Sequence, residues 1–150
     1  MPYNSSVSFD SVVLIESLLA DRATGTALFH STIGPQCVAH GMPAELYQVP
    51  DKATFFGALK AAENLAIAGH SPILHFEMHG DETGLELLSG EMVAWAELSP
   101  WLTRINERTR VNLLVVAAAC NGWLYGRHPT PDRPGASLGR HWSARLRKRG

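Results

Sequence analysis

Two stretches of this 150-residue chain end in groups that could do chemistry together. Pro72-Ile73-Leu74-His75-Phe76-Glu77-Met78-His79-Gly80 is an apolar run of strand length that delivers an imidazole beside a glycine. Asn112-Leu113-Leu114-Val115-Val116-Ala117-Ala118-Ala119-Cys120-Asn121-Gly122 delivers a thiol, with a glycine two residues on. The thiolate is the nucleophilic form of cysteine. A neighbouring imidazole can take the thiol proton or stabilise the thiolate, then protonate a leaving amine. If both runs are parallel strands of one sheet, their carboxyl ends share the edge where open α/β sheets hold their chemistry. Neighbouring strands lie about 4.8 Å apart, within reach of a side-chain pair. A Cys/His dyad of Cys120 and His79 is therefore expected, with the backbone N–H groups of Gly80 and Cys120 as oxyanion donors. Glycine at position 80 lets a substrate carbonyl come close to the backbone. The three alanines before Cys120 leave space, and Asn121-Gly122 is turn chemistry.

The elements that must position these groups follow from the hydrophobic pattern. Ser11 to Leu18 is rich in β-branched residues and reads as a first strand, over about 11–18. Asp21 to Gly41 reads as a loose helix interrupted by Gly25, Gly34 and Pro35. Ala44 to Val49 is a short strand closed by Pro50. Asp51 to Ala68 is an amphipathic helix: Asp51 can cap it, Phe55, Phe56, Leu59, Ala62, Leu65 and Ala66 line one face, and Gly69 ends it. The His79 strand follows, over about 73–79. Thr83–Leu88 and Glu91–Trp95 around Ser89-Gly90 form a hairpin. Ser99-Pro100 opens a further helix, with Trp101, Leu102 and Ile105 facing the core. Polar residues 106–110 lead into the Cys120 strand, over about 113–119. Strands alternating with helices predict an α/β fold with a mostly parallel sheet covered on both faces.

Composition places the chain among globular proteins, at 45% hydrophobic and 18% charged. Residues 1–126 hold six Lys and Arg against thirteen Asp and Glu, whereas residues 127–150 hold seven against Asp132 alone. The body is acidic and the tail basic, with a boundary near Trp123–Arg127. Residues 123–150 are rich in Pro, Gly and Arg and hold no Val, Ile or Phe, so a flexible or loosely packed tail is expected after a domain spanning 1–122. Residues Met1 to Asp10 show no secretory n-region and h-region, and no apolar stretch reaches the roughly 18 residues of a membrane span. The cytosol is the default compartment, where Cys37 and Cys120 stay reduced.

The order of motifs resembles the caspase-like cysteine peptidases, and within them the bacterial CHAT-type domains. That pattern is a strand ending in His-Gly, a hairpin, a helix, and a strand ending in Ala-Cys-x-Gly. Here these are His79-Gly80, Thr83–Trp95, Ser99–Arg108 and Ala119-Cys120-Asn121-Gly122. Leu14-Ile15-Glu16-Ser17-Leu18 followed by Thr24-Gly25 is similar to CHAT amino-terminal halves, so the resemblance covers roughly residues 11–122. It implies a caspase-like sandwich, Cys120 as nucleophile, His79 as general acid/base and Gly80 in the oxyanion hole. The separation of His79 and Cys120 is near the ~50 residues of caspases. Two positions depart from the caspase signature: Ala118 stands where it has Gln, and Asn121 where it has Arg, Gln or Gly. The family's sheet continues past the cysteine, so this chain reads as a domain truncated there, with an altered reading frame as the expected cause.

The function expected is a cysteine endopeptidase acting on a protein or peptide substrate, with neither cofactor nor metal. A regulatory protein partner is compatible with the resemblance; a membrane is not expected. The alternative is a non-catalytic binding module, a remnant that kept the dyad and lost the pocket. His75, Glu77 and His79 alternate on one strand and share a face. They could ligate a metal with Cys120, but no CxxC or HExxH spacing accompanies them, and they read as satisfied polar groups. Asp81 and Glu82 read as a solvated loop, with selection of a basic substrate residue as the alternative; Cys37 reads as structural, Trp95 and Trp101 as core, and His30, His40 and His70 as helix-end residues. Arg140 to Arg149 read as a solvated end and not as a nucleic-acid surface.

Overall fold

The structure is a computed structural model that describes residues 8–118. Its elements are β1 (Ser11–Ser17), a 3₁₀ turn (Ala20–Arg22), α1 (Thr24–Leu28), a π-helical turn (Phe29–Ile33), α2 (Gly34–Ala39), β2 (Ala44–Gln48), α3 (Lys52–Ile67), β3 (Pro72–Gly80), β4 (Gly84–Glu86), β5 (Met92–Ala94), α4 (Trp95–Arg108) and β6 (Leu114–Ala118). The fold is a mixed α/β arrangement around an open, mostly parallel sheet. β1 pairs in parallel with β2 and β3, and β3 pairs in parallel with β6. β4 and β5 form the antiparallel hairpin.

Alternation along the strands gives the sheet two faces. Val13, Ile15, Leu74, Phe76 and Met78 lie on one and are almost wholly buried. They pack with Phe55, Leu59 and Ala62 of α3 and Leu98, Leu102 and Ile105 of α4 in one core. Phe55 stacks on Phe76 with ring centroids 5.9 Å apart. Each such side chain taken from water contributes about 1.5–3 kcal/mol. α3 is held at its amino end by Asp51, whose carboxylate accepts from the Thr54 N–H at 2.8 Å and from the Thr54 hydroxyl. These bonds hold the Asp51 carboxyl below its ordinary pKa.

Three expectations change. α4 starts at Trp95, not at Ser99-Pro100, and Pro100 lies inside it. Glu97 accepts from the Ala94 N–H at 2.9 Å and so closes the helix start. Trp95, Leu98, Leu102 and Ile105 then fall at three- and four-residue steps and are buried. Pro100 forfeits one intrahelical bond, which this packing offsets. Trp95 accordingly belongs to the helix and not to the hairpin, whereas Trp101 is half-buried, packed against Phe56 with the Arg104 guanidinium over its ring. Residues 106–108 complete the same helix instead of forming a polar lead into β6.

Second, residues 24–39 are helical without a break. Pro35 has no N–H to donate, and the preceding turn widens so that Gly34 N–H reaches the Phe29 carbonyl. His30 sits within this widened turn, not at a helix end. Third, a tight turn joins α4 to β6 through Arg110 (φ 57°) and Val111 (φ 66°), both left-handed. The side chain of Asn106 accepts from Leu113 N–H, and the Asn112 amide donates to the Ser8 carbonyl at 2.7 Å. These contacts pin β6 where it enters the sheet. No helix among the described residues is long and apolar enough to cross a membrane.

Candidate functional site

The strand that carries His79, β3, and the strand that precedes Cys120 in the chain, β6, are neighbours in the sheet. β3 and β6 run parallel in the register His75↔Val116, Phe76↔Ala117, Glu77↔Ala118. His79 is two residues beyond Glu77, at the carboxyl end of β3, and is exposed. Ala119, Cys120, Asn121, Gly122 and the basic segment 123–150 lie outside the described residues.

The hairpin leaves β3 at His79↔Glu86 and Gly80↔Leu85. It crosses the carboxyl ends of β1 and β2: Leu88 N–H donates to the Ser17 hydroxyl at 2.9 Å, and Ser89 N–H to the Pro50 carbonyl at 2.9 Å. The hairpin therefore occupies the β1 edge of β3, and β6 the other. Successive N–H groups of a strand point to opposite edges. Asp81 N–H bonds to the Gly84 carbonyl within the hairpin at 2.9 Å, so the Gly80 N–H is directed to the β6 edge. Gly84 is needed for the hairpin to close, since a Cβ there would lie 2.1 Å from the Val93 carbonyl oxygen.

Asp81 is committed to its own turn. Its carboxylate accepts from Thr83 N–H at 2.7 Å, the Thr83 hydroxyl at 2.6 Å and Gly84 N–H at 3.2 Å. The Thr83 hydroxyl, the Thr83 N–H and the Gly84 N–H hold it below its ordinary pKa. It is thus a turn residue that anchors the exit from His79-Gly80, not a group free to select a substrate.

The face that carries His79 is polar where the other is dry. Glu16, a register partner of Glu77, is buried at 2% exposure in a strand that is otherwise apolar in its middle. Its carboxylate accepts from Thr26 N–H at 3.0 Å and from the Thr26 hydroxyl at 2.6 Å, which itself accepts from the Gln48 amide at 2.7 Å. Glu77 accepts from the Thr24 hydroxyl at 3.1 Å and meets His75 Nε2 at 2.9 Å. Gly25 lies buried between the two carboxylates; a Cβ there would be 2.7 Å from Glu16 Oε2 and 2.8 Å from Glu77 Cγ. His75 and Glu77 are thereby satisfied by each other and by α1. Among the described residues no group of three or more His, Cys, Asp or Glu could hold a metal ion.

A pocket of about 200 Å³ opens beside His79. It is lined by Leu18, Leu19, Leu87 and Leu88, by Arg22 and Glu86, and by Ser17. The Ser17 hydroxyl donates to the Val49 carbonyl at 2.6 Å while accepting from Leu88, so it is already engaged. Cys37 is buried at 3% exposure. His40 Nδ1 lies 2.8 Å from the Gln36 carbonyl and His70 Nδ1 3.4 Å from Asp10, contacts local to their chain neighbourhoods.

No protein-family model matches the chain, and no curated protein matches it. The arrangement beside His79 rests on its own geometry. Sequence reasoning noted Glu16, Ser17, Thr24 and Gly25 only within a resemblance, and missed that Thr24, Gly25 and Thr26 clasp the Glu16 and Glu77 carboxylates and that Ser17 ties β1 to the hairpin. The signal was present: a carboxylate and a hydroxyl close an otherwise apolar strand, and a small residue flanked by hydroxyls follows within ten positions.

Proposed function

We propose that the chain is a cysteine endopeptidase of caspase-like architecture, with Cys120 as nucleophile and His79 as general acid/base. The supporting observation is the parallel pairing of β3 with β6 in the register Glu77↔Ala118. His79 and Cys120 each follow that pair by two residues, so a strand continuing the register brings imidazole and thiol to the same face and level. The hairpin and α4 that stand between His79-Gly80 and β6 support the same reading, being the elements expected between the two site strands.

The chemistry follows in two halves. The Cys120 thiolate attacks the substrate carbonyl carbon, and the oxyanion takes hydrogen bonds from Gly80 N–H and Cys120 N–H. The His79 imidazolium gives its proton to the departing amine as the C–N bond breaks and a thioester forms. Water, deprotonated by His79, then hydrolyses the thioester to a carboxylic acid and restores the thiol. A protein or peptide is the substrate; the binding-module alternative keeps the residues without the turnover.

Alkylation by iodoacetamide separates the two. Cys37 is too buried to serve as the internal standard, so a small free thiol is the reference. An activated Cys120 reacts about tenfold or more faster than that thiol at neutral pH, with a rate that levels off below the ~8.5 of an unperturbed thiol. His79→Ala removes the excess, and both Cys120→Ala and His79→Ala abolish peptide cleavage. A Cys120 that reacts like the reference thiol in the unaltered chain overturns the proposal.

A further inference from the structure

We infer that the pocket between the end of β1 and the hairpin binds an aliphatic side chain, that of the substrate residue on the carboxyl side of the bond cleaved; this rests on the peptidase reading. Leu19 and Leu88 hold 59% and 46% of their surface in solvent while lining one pocket, so apolar surface is displayed there instead of being covered. Leu18 and Leu87 continue the same wall. Burying an apolar group against it is favourable in proportion to the area removed from water. Arg22 and Glu86 line the pocket with opposite charges, which leaves no net charge to select an acidic or a basic side chain. The one hydroxyl in the wall, that of Ser17, has its proton committed to Val49. A volume of about 200 Å³ accommodates a single side chain.

Topology says which one. The hairpin and the end of β1 lie on one edge of β3, and β6 lies on the other. His79 stands between the pocket and the β6 edge. With a thiol at the β6 edge, as the peptidase reading requires, the residue whose amine the imidazole protonates leaves on the opposite side of His79. That side holds the leucine pocket.

The test digests a proteome-derived peptide library with the full chain and reads the new amino termini by mass spectrometry. Leu, Ile, Val and Met are expected there about tenfold or more above Gly and Asp, the discrimination that one to a few methylenes provide. Leu88→Asp and Leu19→Asp, both at exposed positions that tolerate charge, are each expected to erase that bias. In parallel, L-leucinamide, which carries the amine of the released product, is titrated into ¹⁵N-labelled Cys120→Ala protein. Amide shifts at Leu19, Leu88 and His79 are expected, and none with L-aspartic acid amide. Cleavage without an aliphatic bias overturns the pocket assignment and leaves the peptidase standing. Leucinamide binding without any cleavage overturns the peptidase and leaves an aliphatic-binding pocket.

Discussion

On the α3/α4 face of the sheet, Val13, Ile15, Leu74, Phe76 and Met78 are buried in one hydrophobic core. On the α1 face, Glu16 and Glu77 of the same strands, with Gln48 of β2, are joined to Thr24 and Thr26 by directional bonds, and His75 is joined to Glu77. The first face stabilises by area, which is indifferent to small rotations. The second stabilises less but orients more, because a buried carboxylate tolerates α1 only where Thr26 donates to it. His79 emerges from the second face. A side chain at the end of a hydrogen-bonded array inherits its positioning, while the dry face supplies most of the stability.

The comparison is broken most forcefully by Phe76→Ala. It removes a fully buried ring stacked on Phe55, and urea unfolding should show a loss of about 3–5 kcal/mol. On the polar face the corresponding blow is Gly25→Ala, where the new methyl forces Glu16 and Glu77 away from α1. A smaller loss of about 1–3 kcal/mol is expected, with faster amide exchange at Thr26 than the global unfolding requires. Loss of stability without local loosening at Thr26 would mean that the two faces do not differ as described.

Ser17→Ala tests the join between the hairpin and β1. Val49 loses its donor and Leu88 its acceptor, at a cost of about 1–3 kcal/mol if water does not replace the hydroxyl. Proteolytic nicking should increase around Ser89-Gly90 while α3 stays protected. The smallest effect is on pH dependence. Asp51 is held low by its bonds to Thr54. Its contribution is complete above the ordinary carboxylate range and disappears as pH falls through its lowered folded value. The gap in Tm between the unaltered chain and Asp51→Ala should therefore be widest at neutral pH and close in acid. A gap that is constant with pH would assign the effect to propensity and not to the charged cap.

Much of the fold was legible because it depends on local pattern. The apolar runs at Val12–Ile15, Leu46–Tyr47, Ile73–Met78 and Leu114–Val116 needed only their composition to read as strands, and the spacing of Phe55, Leu59, Ala62 and Ala66 announced α3. The start of α4 lies five residues before the one expected because Ser99-Pro100 mimics a helix start, while the true start depends on Glu97 reaching back to Ala94 and out to Lys52 on another helix, 2.9 Å away. The break expected at Gly34-Pro35 failed for a similar reason: a π turn absorbs the missing N–H at a position that sequence alone does not mark.

The chain's own sequence determined which groups could react, His79 beside Gly80 and Cys120 before Asn121-Gly122, and that each closes an apolar run, because those facts reside in residue type and alternation. Only tertiary structure decided that β3 and β6 are immediate neighbours in the register Glu77↔Ala118, and that the hairpin takes the opposite edge of β3. Strand neighbours are chosen by packing and hydrogen bonding between segments distant in the chain, and no local pattern encodes which edge of a strand a later segment will find.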